Sequence, residues 1–179
     1  AGGMESMTNA PYLLGKHRSG ARLGHDSVMD SMFLDGLEDA YTPGKLMGAF
    51  AEESAREWQI TREDQDAFAM RSLTRAQAAQ ASGAFDREIV AVEAAGRKGV
   101  ETVSQDEQPG KADAAKIPTL KPAFAKDGTV TAANSSSISD GAAALVMARR
   151  STAERLGLKV VAEVRSHAAF AGEPGLFTT

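Results

Sequence analysis

Two neighbouring stretches with helical spacing, residues 46–58 and 61–79, constrain the fold more than any other feature of the sequence. In the first stretch, apolar and small residues recur every three or four positions, which is typical of an amphipathic helix packed on a core. The positions predicted to face that core are Leu46, Met47, Phe50, Ala51, Ser54, Ala55 and Trp58. The charged positions predicted on the opposite side are Glu52, Glu53, Arg56 and Glu57.

The second stretch carries start and stop signals as well as periodicity. Thr61 can cap a free amide at the helix start, and Asp64 stands in a position like that of a capping box. Gly83 supplies the left-handed conformation that commonly ends a helix. The residues predicted to be buried along this helix are Phe68, Ala69, Ser72, Leu73, Ala76 and Ala79.

Short apolar segments outside the two helices have the length and composition of strands. Strands are predicted at residues 1–3, 89–92, 100–103, 142–147 and 160–164, with a short helix at 152–156. The glycine-interrupted segment 10–30 predicts a long excursion with a short hairpin and no core helix. Two prolines within residues 117–124 argue against a regular element there. The order of strand, helix and strand indicates an α/β protein.

Length and charge exclude several classes of protein. The chain has 179 residues, 42% of them hydrophobic, so one domain, with or without a lobe, is expected. Its 20 basic and 24 acidic residues are interspersed and give a net charge of −4, which provides no field to attract nucleic acid. The longest stretch without charges, residues 128–139, falls well short of the ~20 apolar residues of a membrane span. Because the chain opens on Ala1 without a leader pattern, we expect that processing or truncation set its start.

The sequence contains no cysteine, which excludes disulfides, zinc clusters and a thiol nucleophile within this chain. Its histidines, His17, His25 and His167, have no Ser, Cys or carboxylate in a recognisable catalytic relation to them. They are therefore interpreted as solvated or structural residues. No metal site is expected.

Two polar features allow a binding or a purely structural interpretation. Residues 134–141 read NSSSISDG, and their hydroxyls and amides could cradle a polar group. The same residue types also form turns for local reasons, and spacing alone favours the turn. The second feature is a set of cations that could meet phosphate groups or form a solvated basic edge. These cations are Arg97, Lys98, Lys111, Lys116 and Lys121.

Four blocks of the sequence resemble the thiolase family in order and spacing, and the resemblance covers nearly the whole chain. The blocks are AGGMESM at 1–7, LMGAFAE at 46–52, DQDAFA at 64–69, and TVTAANSSS followed by DGAAA at 129–144. Within the family, they are most similar to acetyl-CoA acetyltransferases and 3-ketoacyl-CoA thiolases. Family chains are more than twice as long, so this chain resembles a central fragment that lacks both ends.

The resemblance implies an αβαβα sandwich in the full protein, built from two similar α/β halves with an α+β loop domain inserted in the first. This chain would be mostly the loop domain with a few core strands. The implied boundaries are 1–6 for the end of the first half, 7–138 for the loop domain with a tetramerisation loop at about 13–32, 139–158 for the return to the first half, and 159–179 for the start of the second.

The resemblance also implies an acyltransferase of fatty acid metabolism that condenses acetyl-CoA to acetoacetyl-CoA, or cleaves 3-ketoacyl-CoA, through a cysteine acyl-enzyme. The catalytic Cys, His and Cys are expected outside this chain, and His167 matches none of them. Coenzyme A thioesters would be substrates, with no separate cofactor, in a cytoplasmic homo-oligomer, a dimer or tetramer. The alternative is an inactive fragment or homologue that only binds coenzyme A or assembles. The direction of the reaction and the acyl-chain length stay open.

By resemblance, six residues match positions that contact the pantetheine arm of coenzyme A, and Lys111 is the nearest candidate for a phosphate contact. The six are Leu37, Met47, Ala123, Phe124, Ala132 and Ser136. Pantetheine is a thin, mostly apolar arm with two amides, so an apolar lining with one hydroxyl suits it. One departure is Leu46, where many thiolases have a histidine before the Met-Gly pair.

Overall fold

A computed structural model describes residues 1–96 and 99–177 of the chain. The strands are β1 (Gly2–Glu5), β2 (Tyr12–Leu13), β3 (Met29–Asp30), β4 (Val92–Gly96), β5 (Gly99–Val103) and β6 (Gly141–Ala144). The α-helices are α1 (Met47–Glu57), α2 (Arg62–Ala81), α3 (Glu107–Lys111) and α4 (Arg150–Arg155). Short 3-10 helices lie at His17–Ser19, Ala114–Thr119 and Pro174–Leu176, and a π-helical turn lies at Phe33–Leu37. Within the described part of the chain, no helix is both long and apolar enough to cross a membrane.

The chain divides into two compact units, one formed by Ala1–Phe50 with Ser137–Thr179 and the other by Ala51–Ser136. In the first unit, β1 and β6 pair antiparallel from Gly2 opposite Ala144 to Glu5 opposite Gly141. In segment 10–30, β2 pairs antiparallel with β3, so the paired strands lie at the two ends of the segment, across residues 14–28, and the predicted short hairpin within it is not formed. The short helix predicted at 152–156 is confirmed, shifted toward the N-terminus as α4.

The strand predicted at 142–147 was too long at its C-terminal end, and the strand predicted at 160–164 was wrong. The ladder between β1 and β6 ends where the amide and carbonyl of Leu145 exchange hydrogen bonds with Ala1, the first residue of the chain. Beyond that point no described backbone pairs with residues 146–147. Residues 160–164 have no partner strand among the described residues and adopt no regular structure. An apolar alternating segment forms a strand only where a neighbouring backbone completes its hydrogen bonds.

Both predicted helices are confirmed, as α1 and α2. The Thr61 hydroxyl accepts a hydrogen bond from the Asp64 amide at 3.1 Å and donates one to the Asp64 carboxylate at 2.7 Å, which fixes the start of α2. Gly83 has a φ of 66° just after the helix, the left-handed conformation expected at that position. These ends depend on local residues, so the sequence could predict them.

The buried face of α2 differs from the predicted stripe. Phe68 is 64% exposed and Ser72 is also exposed, whereas Asp66 is 5% exposed. Helix α2 packs on α3 and on the 3-10 helix Ala114–Thr119, and Gln77 and Gln80 donate hydrogen bonds to carbonyls at Pro109 and Asp106. The face of α2 that packs on these elements therefore does not include Phe68. The residues along the stripe that are half-buried are Ala69, Leu73, Ala76 and Ala79.

Two further local predictions were wrong. The segment 114–119 forms a 3-10 helix despite Pro118, because Asp113 caps the Ala115 amide and proline removes only its own hydrogen bond. The strand predicted at 89–92 lies instead at β4, since Gly96 pairs with Gly99 and this register extends the ladder back only to Val92. The connecting residues, Arg97 and Lys98, lie outside the described residues.

The carboxylate of Glu52 is buried, although the sequence placed it on the solvent side of α1. Glu52 is 6% exposed and accepts hydrogen bonds from the amides of Thr129 at 2.9 and 3.0 Å and of Val130 at 2.8 Å. The Thr129 hydroxyl adds a longer contact of 3.3 Å. A buried carboxylate is tolerated where such donors replace water. Gly128 leaves room for it, because a Cβ built there would collide with the Glu52 carboxylate.

We predict that Glu52→Gln lowers the free energy of unfolding by about 1.5–3 kcal/mol, the usual cost of losing a charged hydrogen bond. The glutamine NH₂ group would face backbone amides that can only donate. Urea denaturation measures the change, and Glu57→Gln, an exposed position on the same helix, serves as the matched control. Equal effects of the two substitutions would contradict the assigned role of Glu52.

The second prediction concerns Asp140, which lies just before β6. The Thr8 backbone amide donates to its carboxylate at 2.9 Å, and this bond, with the Thr8 side chain and the Met7 backbone, lowers the pKa of Asp140. A lowered folded-state pKa gives stability that is present above the unfolded pKa and lost as pH falls through the folded pKa. We therefore expect stability to decline as pH drops below 3.8 and Asp140→Asn to flatten that decline. Unfolding measured across acid pH tests this, with exposed Asp127→Asn as control.

Candidate functional site

Two neighbouring segments of the second unit, residues 120–124 and 129–136, carry four of the seven residues predicted to bind coenzyme A. The amide of Ala123 donates to the carbonyl of Val130 at 2.9 Å and joins the segments. Phe124 is 38% exposed, and Ala132 and Ser136 are also exposed. These four residues are therefore on connected backbone and accessible to a ligand.

The other three predicted residues lie elsewhere in the chain. Lys111 ends α3, and its ammonium group forms an ion pair with Glu107 one turn earlier while staying largely exposed. Leu37 ends the π-helical turn and is half-buried, and Met47 begins α1 and is exposed. Leu37 and Met47 belong to the unit formed by Ala1–Phe50 and Ser137–Thr179.

Asn134, the first residue of the polar segment 134–141, forms hydrogen bonds with nearby backbone. Its side-chain oxygen accepts from the Thr131 amide at 2.7 Å, and its NH₂ group donates to the Thr129 carbonyl at 3.0 Å. Thr131 is completely buried, and its hydroxyl accepts from the Ala133 amide at 3.3 Å. Side chains that bond to nearby backbone in this way stabilise turns. Residues 129–134 therefore form a turn held by side chains, which for the predicted segment 134–141 concerns Asn134 alone.

The serines after this turn have different surroundings. Ser135 Oγ is buried and has no hydrogen-bond partner in the described part of the chain. Ser136 is exposed, and the hydroxyls of Ser137 and Ser139 lie 2.7 Å apart. The turn is thus followed by an exposed serine, Ser136, for which the binding interpretation stays a prediction.

A buried ion pair near the start of α2 contacts both segments. Arg62 Nε lies 2.7 Å from Asp66 Oδ2, one turn apart on the helix. Arg62 Nη2 donates to the carbonyls of Ile117 at 3.1 Å and Leu120 at 2.9 Å. The other carboxylate oxygen of Asp66 accepts from the Asn134 NH₂ group at 3.2 Å. Arg62 of helix α2 therefore contacts the end of the 3-10 helix Ala114–Thr119, and Asp66 contacts the turn at 129–134.

Sequence reasoning missed the residues of this polar network. Asp66 and Asn134 stand inside the blocks that resemble the thiolase family, which was the available signal. Arg62 and Asp66 also have the spacing of a helical ion pair. Glu52 also stands at the end of such a block, 46–52, but its place beside Glu53 on a helix predicted a position facing water.

Metal-binding side chains are not clustered in the described part of the chain. Within residues 1–96 and 99–177, no group of three or more His, Asp or Glu side chains is placed to hold a metal ion. His17 Nδ1 lies 3.1 Å from Asp26 Oδ2 in the loop between β2 and β3, a carboxylate partner that the sequence did not indicate. The segments 120–124 and 129–136 are the part of the described chain that brings four of the seven predicted site residues onto connected backbone.

Comparison with known proteins identifies the family. The model of the thiolase N-terminal domain matches residues 1–151. Acetyl-CoA acetyltransferase 2 of Arabidopsis thaliana is 51% identical over the whole chain, which covers 45% of that protein. Acetyl-CoA acetyltransferase of Escherichia coli is 49% identical over 98% of the chain, again 45% of the relative.

A solved structure supports the same assignment. The acetyl-CoA acetyltransferase from Syntrophomonas wolfei aligns with a TM-score of 0.78 and 46% sequence identity, covering 88% of this chain and 40% of that one. The chain thus spans less than half the length of the relatives it matches. The mixed α/β, thiolase-like fold predicted from the sequence is confirmed. Because the family model matches well over half of its residues, the chain belongs to the thiolase family.

Proposed function

We propose that this chain is the coenzyme A-binding part of an acyl-transferring thiolase that condenses acetyl-CoA to acetoacetyl-CoA or cleaves 3-ketoacyl-CoA with coenzyme A. The observation that carries the proposal is the hydrogen bond from Ala123 to Val130, which places Phe124 and the segment containing Ala132 and Ser136 on connected backbone. The names of the relatives, acetyl-CoA acetyltransferases, supply the reaction class.

The chemistry of these residues suits the pantetheine arm. Phe124 offers a partly exposed aromatic surface to the methylene and dimethyl groups, and the methyl groups of Ala123 and Ala132 leave space for a thin ligand. Ser136 can exchange one hydrogen bond with an amide of the arm. Lys111 can contact a phosphate, which would compete with Glu107 for the ammonium group.

The covalent chemistry would come from residues outside this sequence. In a thiolase a cysteine thiolate attacks the thioester carbonyl, the acyl group is transferred to sulfur, and coenzyme A leaves as the thiol. This chain contains no cysteine, so the nucleophile, the activating histidine and the second cysteine would belong to the rest of a longer protein. We further propose a homo-oligomer, a dimer or tetramer, that acts in cytoplasmic fatty acid metabolism without a separate cofactor.

A second candidate is a protein that binds coenzyme A or assembles but does not turn it over. The absence of cysteine from the given sequence favours it for the chain taken alone. The two candidates differ in whether the complete protein that contains this sequence forms an acyl-enzyme.

We predict that the 179-residue chain shows no thiolysis of acetoacetyl-CoA, because removal of the nucleophile removes the covalent pathway. The complete protein is expected to cleave acetoacetyl-CoA with coenzyme A in a ping-pong cycle. The loss of acetoacetyl-CoA absorbance measures this reaction. Turnover by the purified chain would contradict the proposed division of roles. A complete protein that binds coenzyme A without turnover would establish the second candidate.

A further prediction compares Phe124→Ala with Ser136→Ala in the complete enzyme. Loss of one neutral hydrogen bond at Ser136 is expected to raise the apparent Michaelis constant about two- to tenfold. Loss of the Phe124 ring removes more contact area and is expected to raise it about tenfold or more. Neither change should lower the maximal rate comparably, because an arm remote from the reacting carbon contributes uniform binding.

Ser137→Ala is the matched control for this comparison, since the Ser137 hydroxyl lies against Ser139. Steady-state kinetics with acetoacetyl-CoA measure all three variants. If Ser137→Ala raised the apparent Michaelis constant and Ser136→Ala left it unchanged, the binding hydroxyl would belong to Ser137 and the assignment to Ser136 would be wrong.

A further inference from the structure

We infer that the buried pair Arg62–Asp66 is a positioning device that sets both coenzyme A-binding segments at once, an inference that rests on the function proposed above. The pair forms the junction of two sets of contacts. Arg62 holds the backbone that leads into Ala123 and Phe124, and Asp66 holds the turn that leads into Ala132 and Ser136.

The Arg62 contacts act on the end of the 3-10 helix Ala114–Thr119. The Ile117 carbonyl already accepts from the Leu120 amide at 3.3 Å, and the carbonyls of Ile117 and Leu120 both accept from Nη2 of Arg62. Leu120 is the residue at which the chain leaves the helix toward Ala123. The guanidinium thereby fixes the point and direction from which the first binding segment departs.

The Asp66 contact fixes which way the Asn134 amide faces. A carboxylate can only accept hydrogen bonds, so the NH₂ group of Asn134 must face Asp66. The amide oxygen of Asn134 then points to the Thr131 amide, which can only donate. The turn that carries Ala132 and ends two residues before Ser136 therefore depends on the charge of Asp66.

The two halves are coupled because each charge needs the other. Both side chains are largely buried, with Asp66 at 5% exposure, and loss of one partner leaves the other charge without its counter-ion. The first half of the turn, at Thr129 and Val130, is held separately by Glu52. A change at Asp66 is therefore expected to move Ala132 and Ser136 more than residues 129–130.

The test uses the complete enzyme that contains this sequence, with Asp66→Asn as the principal variant. We expect the dissociation constant for coenzyme A, measured by isothermal titration calorimetry, and the Michaelis constant for acetoacetyl-CoA to rise about fivefold or more, while kcat changes by less than about twofold. Hydrogen exchange of the Thr131 amide should accelerate, because its acceptor on Asn134 is released.

Glu154→Gln is the matched control, since Arg150 and Glu154 form an ion pair with the same helical spacing and both side chains are exposed. Its affinity for coenzyme A should match that of the wild type. Arg62→Lys is the second variant if Asp66→Asn does not fold, because it keeps a charge beside Asp66 but removes the planar donor to two carbonyls. This variant is also expected to weaken coenzyme A binding.

The outcomes separate the inference from the proposed function. A wild-type enzyme that neither binds coenzyme A nor turns over acetoacetyl-CoA overturns the proposed function, and the inference with it. A wild type that binds coenzyme A, beside folded Asp66→Asn or Arg62→Lys variants of unchanged affinity, overturns the positioning role alone. A lower melting temperature with unchanged affinity and unchanged Thr131 exchange also overturns it, because it reveals only a stabilising pair.

Discussion

The second unit is organised by carboxylates that sit inside it and receive hydrogen bonds from backbone and side-chain amides. Glu52 accepts from the consecutive amides of Thr129 and Val130, and Asp66 accepts from Asn134, so one short segment is held by acids from two different helices. Each acid would be costly to bury without these donors. The path of residues 129–134 and the burial of the two acids therefore depend on each other. The position of exposed Ser136, which follows this segment, depends on the same contacts.

Such a network specifies geometry more than it adds stability. Buried ion pairs often contribute little net free energy, because desolvation offsets their attraction. What Arg62 and Asp66 provide is direction, since a guanidinium and a carboxylate accept only particular placements of the carbonyls and amides around them. Segments 120–124 and 129–136 do not belong to one regular element. We attribute the charges of Arg62 and Asp66 to the need to keep these two segments in a fixed relation.

Local features of the fold could be predicted from the sequence, and non-local ones could not. The cap at Thr61 and the helix end at Gly83 depend on adjacent residues and were found. The burial of Glu52 and the exposure of Phe68 depend on partners far along the chain, 77 residues away in the case of Thr129. The residues predicted to bind coenzyme A came from family resemblance, because small and apolar side chains such as Ala132 carry no chemical signature of their own.

The space left by Gly128 links two positions that are distant in sequence. A methyl group at 128 would occupy the place of the Glu52 carboxylate, and that carboxylate is fixed by the Thr129 and Val130 amides rather than free to swing aside. A side chain at 128 is therefore compatible with this arrangement only where the acid at 52 is shortened or replaced. The requirement for glycine at 128 comes from the side chain at 52 and not from a left-handed backbone angle at 128.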